Sequence, residues 1–260
     1  MTQDILKTED IEVARQGAVM SAAFARPLKK NAITGAMYEA LIEAFEAAER
    51  DPGVGAFVLS GKGGVFTAGN DIADFLAVAS RAGGDFPAWR FVSKLAEFEK
   101  PLVAAVDGLA VGVGTTLLFH CDLVYATPEA RFQMPFVNLG LVPEAGSSLL
   151  APQRFGRAKA AQFLLLGEPF GAEEAHALGL VNALAPKAEL LTLAMGRAAE
   201  LAAKPRAALL ATRRLMRGDA EALKARMAEE THAFAAALKS DEARKAFEAF
   251  MAAGQKTART

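Results

Sequence analysis

The chain has 260 residues, with 29 basic against 30 acidic side chains, a net charge of −1 and 52% hydrophobic residues. This near-balance excludes a polyanion-binding surface spread over the whole molecule, and the composition is that of a globular chain able to bury a large core. A single cysteine, Cys121, excludes an internal disulfide, and His120, His176 and His232 are too scattered for a cluster at metal-ligand spacing.

The acidic start MTQDILKTEDIE is followed by no apolar run and does not read as a secretory signal. Residues 11–24 hold two β-prone runs around Gln16-Gly17, a hairpin pattern. Thr34 is placed to cap a helix in which Met37, Leu41, Phe45 and Ala48 recur at helical spacing before Asp51-Pro52-Gly53 ends it. The apolar run 54–61 suits a strand buried on both faces and leads into a glycine-rich loop, GKGGVFTAGND. A second unit repeats this plan: a helix around FPAWRFVSKLAEFEK, a break at Pro101, a buried strand over 102–106 and the loop DGLAVGVG. TTLLFHC continues as a helix, 123–127 and 131–134 are short strands, and the loop NLGLVPEAGSS precedes helices in AKAAQFLLLG and EEAHALG, the latter closed by Gly179. The charge-free stretch 108–121 is shorter than the ~20 residues a membrane helix needs. From about Lys187 strand patterns give way to helical ones. With Lys204-Pro205 as a joint, the chain divides into an α/β body, residues 1–200, and a helical region, residues 201–260.

Two loops stand directly after buried strands, GGVFTAGND and DGLAVGVGT, where α/β sheets place ligands and where glycine lets a backbone N–H approach a ligand oxygen. Taken singly, each is equally explained as a tight turn. Gly112-Val113-Gly114 lacks the third glycine of a dinucleotide fingerprint, Gly61-Lys62-Gly63-Gly64 lacks the ending of a phosphate-binding loop, and Ser147 and Ser148 are not in a nucleophile elbow. His120, inside an apolar helix, reads as a core residue rather than a base. Glu144 is isolated in the apolar stretch NLGLVPEAGSSLLAP. It is either an acid in the first turn of a helix begun at Pro143, or a carboxylate facing an apolar pocket, where desolvation makes it a proton carrier. The basic cluster Lys204, Arg206, Arg213, Arg214 and Arg217 reads as a solvated helix face and not as a nucleic-acid contact, because no aromatic residues accompany it to stack bases.

Taken together, RPLKKNAIT, FTAGNDI, KPLVAAVDGLAVGVG, CDLVYATPEARFQMPFVNLGLVPEAGSS and AEEAHALGLVN resemble, in order and spacing, the crotonase superfamily, the enoyl-CoA hydratase/isomerase family. Within it, FTAGND, VYAT and PE-x-x-SS resemble the peroxisomal type of Δ3,Δ2-enoyl-CoA isomerase. The resemblance implies an α/β fold, a ββα spiral with a C-terminal helical trimerisation region, assembled as a homotrimer or a hexamer of paired trimers. It implies an acyl-CoA thioester as substrate and no cofactor beyond the coenzyme A carried by that substrate. Two backbone amides, of Asn70 and Val113, would hold the thioester oxygen. Hydratases of the family use two glutamates, and the matching positions are Thr116 and Phe136. Glu144 instead matches the single glutamate of the isomerases. By the same resemblance Ala68, Gly69, Asn70, Asp71 and Ile72 line the pantetheine, Lys30 or Lys29 lies near the adenine end and Lys245 near a phosphate of the nucleotide; Phe75, Trp89, Phe136 and Leu139 either line the acyl pocket or are ordinary core packing. The alternatives are hydration or another crotonase-type reaction, and a non-catalytic CoA-ester-binding trimer. The expected setting is cytoplasmic, with no metal, no nucleic acid and no membrane insertion, and the terminal Ala-Arg-Thr does not match a peroxisomal address.

Overall fold

The computed structural model describes residues 2–7, 10–79 and 86–257. Residues 80–85 and the terminal Ala258, Arg259 and Thr260 lie outside the described residues. Three strands open the fold, β1 (Thr2–Lys7), β2 (Ile11–Gln16) and β3 (Val19–Phe24), paired antiparallel. The hairpin at Gln16-Gly17 is as the turn pattern predicts, with Gly17 at φ 60°, whereas β1 has no counterpart in the sequence reading. Helix α1 (Gly35–Arg50) starts at Thr34, whose Oγ1 accepts from the Met37 N–H at 3.3 Å. It buries Met37, Leu41, Phe45 and Ala48.

From β3 onward the main sheet is parallel, through β4 (Ala56–Gly61), β5 (Leu102–Val106), β7 (Leu123–Ala126) and β10 (Ala183–Leu184). A second sheet joins β6 (Leu109–Val111), β8 (Arg131–Gln133) and β9 (Phe170–Gly171). The chain thus contributes β5 to one sheet and β6 to the other before the short helix α4 (Val113–Thr116), then β7 and β8 before the next helix. Each turn of two strands and a helix stacks on the last, and this is the α/β spiral that the motifs imply.

Both faces of the main sheet are covered, which explains why β4 and β5 are continuous apolar runs. Ala56, Val58, Val103 and Ala105 face Leu190, Ala194 and Ala198 of α7 (Lys187–Ala202). Phe57, Leu59, Ala104 and Val106 face the main core. There Phe57, Phe45, Phe98 and Phe91, the last on α3 (Pro87–Glu97), stack with centroids 4.7–5.9 Å apart. Helix α2 (Ile72–Ala79) follows the first glycine-rich loop, α5 (Ser147–Leu165) follows the loop bearing Glu144, and α6 (Ala172–Ala177) precedes β10. The expected helix in TTLLFHC begins earlier, at Val113, and finishes as a 3₁₀ turn over Leu117–His120. The predicted AKAAQFLLLG helix is only the second half of α5, which breaks at Gly156 with φ 73°.

Three further helices, α8 (Arg206–Arg217), α9 (Ala220–Leu238) and α10 (Asp241–Thr257), complete the chain. The solvated basic face expected here holds for Lys204, Arg206, Arg214 and Arg217, which are exposed, and fails at Arg213. Arg213 is buried, its Nε bonding Asp122 at 2.7–2.8 Å and its Nη1 the carbonyls of Phe98 and Glu99 at 2.8 and 2.9 Å. Arg217 donates to Phe98 and His120 carbonyls, and Arg206 to Pro52. Carbonyls left open beyond the C-terminal end of α3 are natural acceptors for a forked guanidinium, and charge counting along the sequence does not register them. Replacing Arg213 by Ala is expected to cost about 2–4 kcal/mol, because Asp122 and the two carbonyls lose their donor. Urea unfolding at pH 7 checks this.

Candidate active site

The loop Thr67–Asp71 is held between two neighbours. On one side Thr67 bridges Ala110 of β6: its N–H donates to Leu109 at 2.9 Å and its carbonyl accepts from Val111 at 3.0 Å. On the other, Ile33 donates to the Gly69 carbonyl at 2.8 Å and accepts from the Asp71 N–H at 2.9 Å. Successive N–H groups of an extended chain alternate sides, so the Asn70 N–H between those two bonds points away from Ile33. Gly69, at φ 85°, lies where a Cβ would stand 2.7 Å from the Val111 carbonyl oxygen. Asn31 stiffens the same loop, since its amide bonds carbonyls of Lys62 and Val65 and its carbonyl accepts from Thr67 Oγ1 at 2.6 Å.

Val113 is the first residue of α4, after Gly112 at φ 56°, ψ −121°. The first N–H groups of a helix have no intrahelical acceptor, so the Val113 amide is available at the helix start. Its side chain is buried in the main core, and the next residue, Gly114, lies where a Cβ would meet Thr67 Cγ2 at 2.5 Å. The two amide-bearing segments are therefore in backbone contact.

Glu144 approaches from a third segment. It does not sit in the first turn of a helix, since α5 begins at Ser147, after a turn in which Ala145 and Gly146 have φ 56° and 70°. Ser147 donates to the Glu144 carbonyl through Oγ at 2.6 Å, and the Ala145 carbonyl accepts from His120 Nε2 at 2.7 Å. That acceptor fixes the imidazole as the Nε2–H tautomer, and burial pushes its pKa down to about 4, so the ring is neutral. His120 is the satisfied core residue expected of it. The Glu144 carboxyl accepts from Thr116 Oγ1 at 2.5 Å and is only 9% exposed. Burial, assisted by repulsion from Glu230 and opposed by the Thr116 hydrogen bond, pushes its pKa up to about 8.

Thr116 stands one helical turn beyond Val113, so this hydrogen bond ties Glu144 to the second amide segment. A further link runs to the first. The buried Tyr38 hydroxyl of α1 donates to Asn70 Oδ1 at 2.5 Å, and burial, then the nearby Glu144, hold its pKa well above the ordinary tyrosine value. Asn70, Val113 and Glu144 thus converge, with Tyr38 and Thr116 between them.

The peripheral residues are placed less uniformly. Lys29 and Lys30 are exposed, and the Lys30 carbonyl accepts from the Ala68 N–H at 2.9 Å, which puts both lysines beside the loop. The Asp71 carboxylate is occupied by Arg26 at 2.7 Å, and that pairing holds its pKa low despite partial burial. Ile72 is half-buried at the start of α2. Phe75 and Trp89 join Phe86 and Phe234 of α9 in an aromatic cluster. Phe136 is buried, and Leu139 is half-buried in the 3₁₀ turn Val137–Leu139. Lys245 is exposed on α10, which packs against that turn through Gly140, and no hydrogen bond ties it to the other residues. Among the described residues no group of three or more His, Cys, Asp or Glu could hold a metal ion, and no helix is long and apolar enough to cross a membrane.

Two segments with open backbone amides thus meet beside a buried carboxyl that has no cationic partner among the described residues, an arrangement chemically able to stabilise an oxyanion and to move a proton. The enoyl-CoA hydratase/isomerase family model matches residues 14–257, and the chain belongs to that family. It is 36% identical over 251 residues to rat (Rattus norvegicus) enoyl-CoA delta isomerase 2, covering 94% of this chain and 64% of that protein. It is 31% identical to 2,3-dehydroadipyl-CoA hydratase of Escherichia coli, covering 93% of this chain and 95% of the relative. Among solved structures, Pseudomonas aeruginosa OdaA matches with a TM-score of 0.90 at 45% identity, covering 94% of this chain and 99% of that one.

The raised pKa has a measurable consequence for stability. Between the ordinary carboxyl value of 4.5 and about 8 the folded protein holds a proton that the unfolded chain releases, so Glu144 makes stability fall as pH rises through that window. Glu144→Gln is expected to remove this loss, worth a few kcal/mol. Thermal melts of the two proteins should diverge progressively from pH 5 to pH 8.5, with the variant the more stable at the alkaline end.

Proposed function

We propose that the protein is a Δ3,Δ2-enoyl-CoA isomerase with Glu144 as its sole proton carrier. The observation that carries this reading is that one buried carboxyl, that of Glu144, is bonded to the segment that begins with the Val113 amide. Thr116 and Phe136 stand where hydratases of the family have their two glutamates, and Thr116 serves Glu144 as a hydrogen-bond donor instead. A thioester oxygen between the Asn70 and Val113 amides would gain both N–H donors as negative charge develops on it, each worth about 3–4 kcal/mol of barrier.

In the forward direction ionised Glu144 removes a C2 proton from a 3-enoyl-CoA, and the electron pair moves onto the thioester oxygen as a dienolate. Charge also reaches C4. Protonated Glu144 returns the proton there, the double bond settles between C2 and C3, and the trans-2-enoyl-CoA leaves with the carboxylate regenerated. A carboxyl group titrating at about 8 suits both halves, since neither its acid nor its base form is strongly favoured near neutrality. With no second acid to position water, the reaction ends at isomerisation. On this reading Ala68, Gly69, Asp71 and Ile72 lie along the pantetheine, Lys30 or Lys29 lies near the adenine end, Lys245 serves a nucleotide phosphate, and Phe75, Trp89, Phe136 and Leu139 border the acyl chain. We further infer assembly as a trimer, or as paired trimers, through residues 201–260.

Glu144→Gln is expected to lower kcat on a 3-enoyl-CoA about 10³-fold while leaving CoA-ester affinity within a few-fold of the original. The growth of conjugated-thioester absorbance follows turnover, and calorimetry follows binding. Formation of a 3-hydroxyacyl-CoA from a 2-enoyl-CoA at a comparable rate would make the protein a hydratase, and full activity in the variant would remove Glu144 from the mechanism.

A further inference from the structure

The turn that carries Glu144 is closed from outside by a second buried acid. Glu230 of α9 is 6% exposed, and its two carboxyl oxygens are divided between two backbone donors, Gly146 N–H at 2.6 Å and Ser148 N–H at 2.8 Å. Burial pushes the Glu230 pKa up, and the hydrogen bonds its carboxyl accepts from Ser148 and Gly146, with Arg226 nearby, oppose that shift and favour the ionised form. These amides open α5, the point at which a helix end presents partial positive charge. They stand two and four residues after Glu144, and the acid that occupies them is Glu230, not Glu144. We propose that Glu230 is a positioning residue for Glu144, taking up the amides at the start of α5 so that they hold the turn in shape without stabilising the Glu144 anion. Glu230 thereby keeps Glu144 a proton carrier rather than a permanent anion.

The groups around the turn agree with this division. Thr116 from α4 donates to Glu144, and Tyr38 from α1 faces it with a hydroxyl that stays protonated. His120 touches the turn through the Ala145 carbonyl and is neutral. Arg226, one turn before Glu230 on α9, reaches Ser148 Oγ at 3.4 Å and is paired with Glu229 at 3.0 Å. Glu230 is therefore the acidic side chain bonded to the backbone of the turn among the described residues, and its repulsion acts on Glu144 in the same sense as burial. The role was hidden in sequence because Glu230 lies 84 positions from the Gly146 amide it occupies.

The inference rests on the proton-carrier role of Glu144 and is tested without turnover. Protein labelled with 13C at glutamate Cδ is titrated by NMR, the Glu144 resonance being assigned by its loss in Glu144→Gln. In Glu230→Gln, and in the apolar isostere Glu230→Met, Glu144 is expected to titrate below about 8, its acid dissociation constant raised roughly tenfold. Glu230→Asp, which keeps the charge, is expected to stay close to the parent. An unchanged midpoint in both charge-removing variants overturns the proposal, and so does the failure of both to fold, which would make Glu230 purely structural. If Glu144 shifts as expected but the parent protein does not isomerise 3-enoyl-CoA, the isomerase reading fails and the role of Glu230 stands. Isomerisation with no shift has the opposite meaning.

Discussion

The site depends on one close passage of main chain, where the loop from Thr67 to Asn70 crosses the segment from β6 into α4. Two glycines make it possible. A methyl group on Gly69 would press on the Val111 carbonyl, and one on Gly114 would press on the Thr67 side chain. The ladder bonds between Thr67 and β6 then fix the register of the crossing, so both amides keep their orientation without any ligand present. Donors fixed in this way need no reorganisation when charge develops, and this is where preorganised amides exceed water as stabilisers of an oxyanion. The spiral supplies the crossing because the chain after β4 bridges β6, the strand that the next turn lays in the second sheet.

A carboxylate placed against that crossing is costly to keep. Glu144 has no cationic partner among the described residues, one hydroxyl donor, and a like charge on the far side of its turn. Two left-handed residues, Ala145 and Gly146, bring it there, and alanine at φ 56° is disfavoured in isolation. Hydrogen bonds from Ser147, from His120 and to Glu230 hold the turn from three directions. Strain and burial are sustained by surrounding structure, and the return is a proton affinity near that of the medium.

The sequence is most legible where one residue type permits one geometry. Alternation and apolar runs mark β2 to β5, Thr34 marks the start of α1, and glycines mark the crossing loops; a motif order spread over most of the chain identifies the family. Glu144 is conspicuous as the one acid in an apolar stretch. Its support is far less legible. Tyr38 looks like another apolar-face residue of α1 until its hydroxyl is seen at Asn70, and Glu230 resembles the solvated Glu221 and Glu229 of the same helix. Arg213 of α8 misleads for a related reason, since its acceptors include backbone carbonyls of Phe98 and Glu99, which no side-chain pattern records.

The position of Thr116 bears on how one scaffold supports different reactions. A glutamate there would place a second acid beside Glu144 at the end of α4, and two carboxyls sharing that burial could not both ionise near neutrality. Threonine removes the competition and adds a donor to the remaining carboxyl. At the other matching position stands the buried Phe136, whose side chain has no donor or acceptor for a water. Hydration needs an oriented water and a second proton carrier, whereas a 1,3-proton shift needs one carrier that reaches both carbons. On the reading proposed above Glu144 would be that one carrier, and the spiral would be common to both reactions.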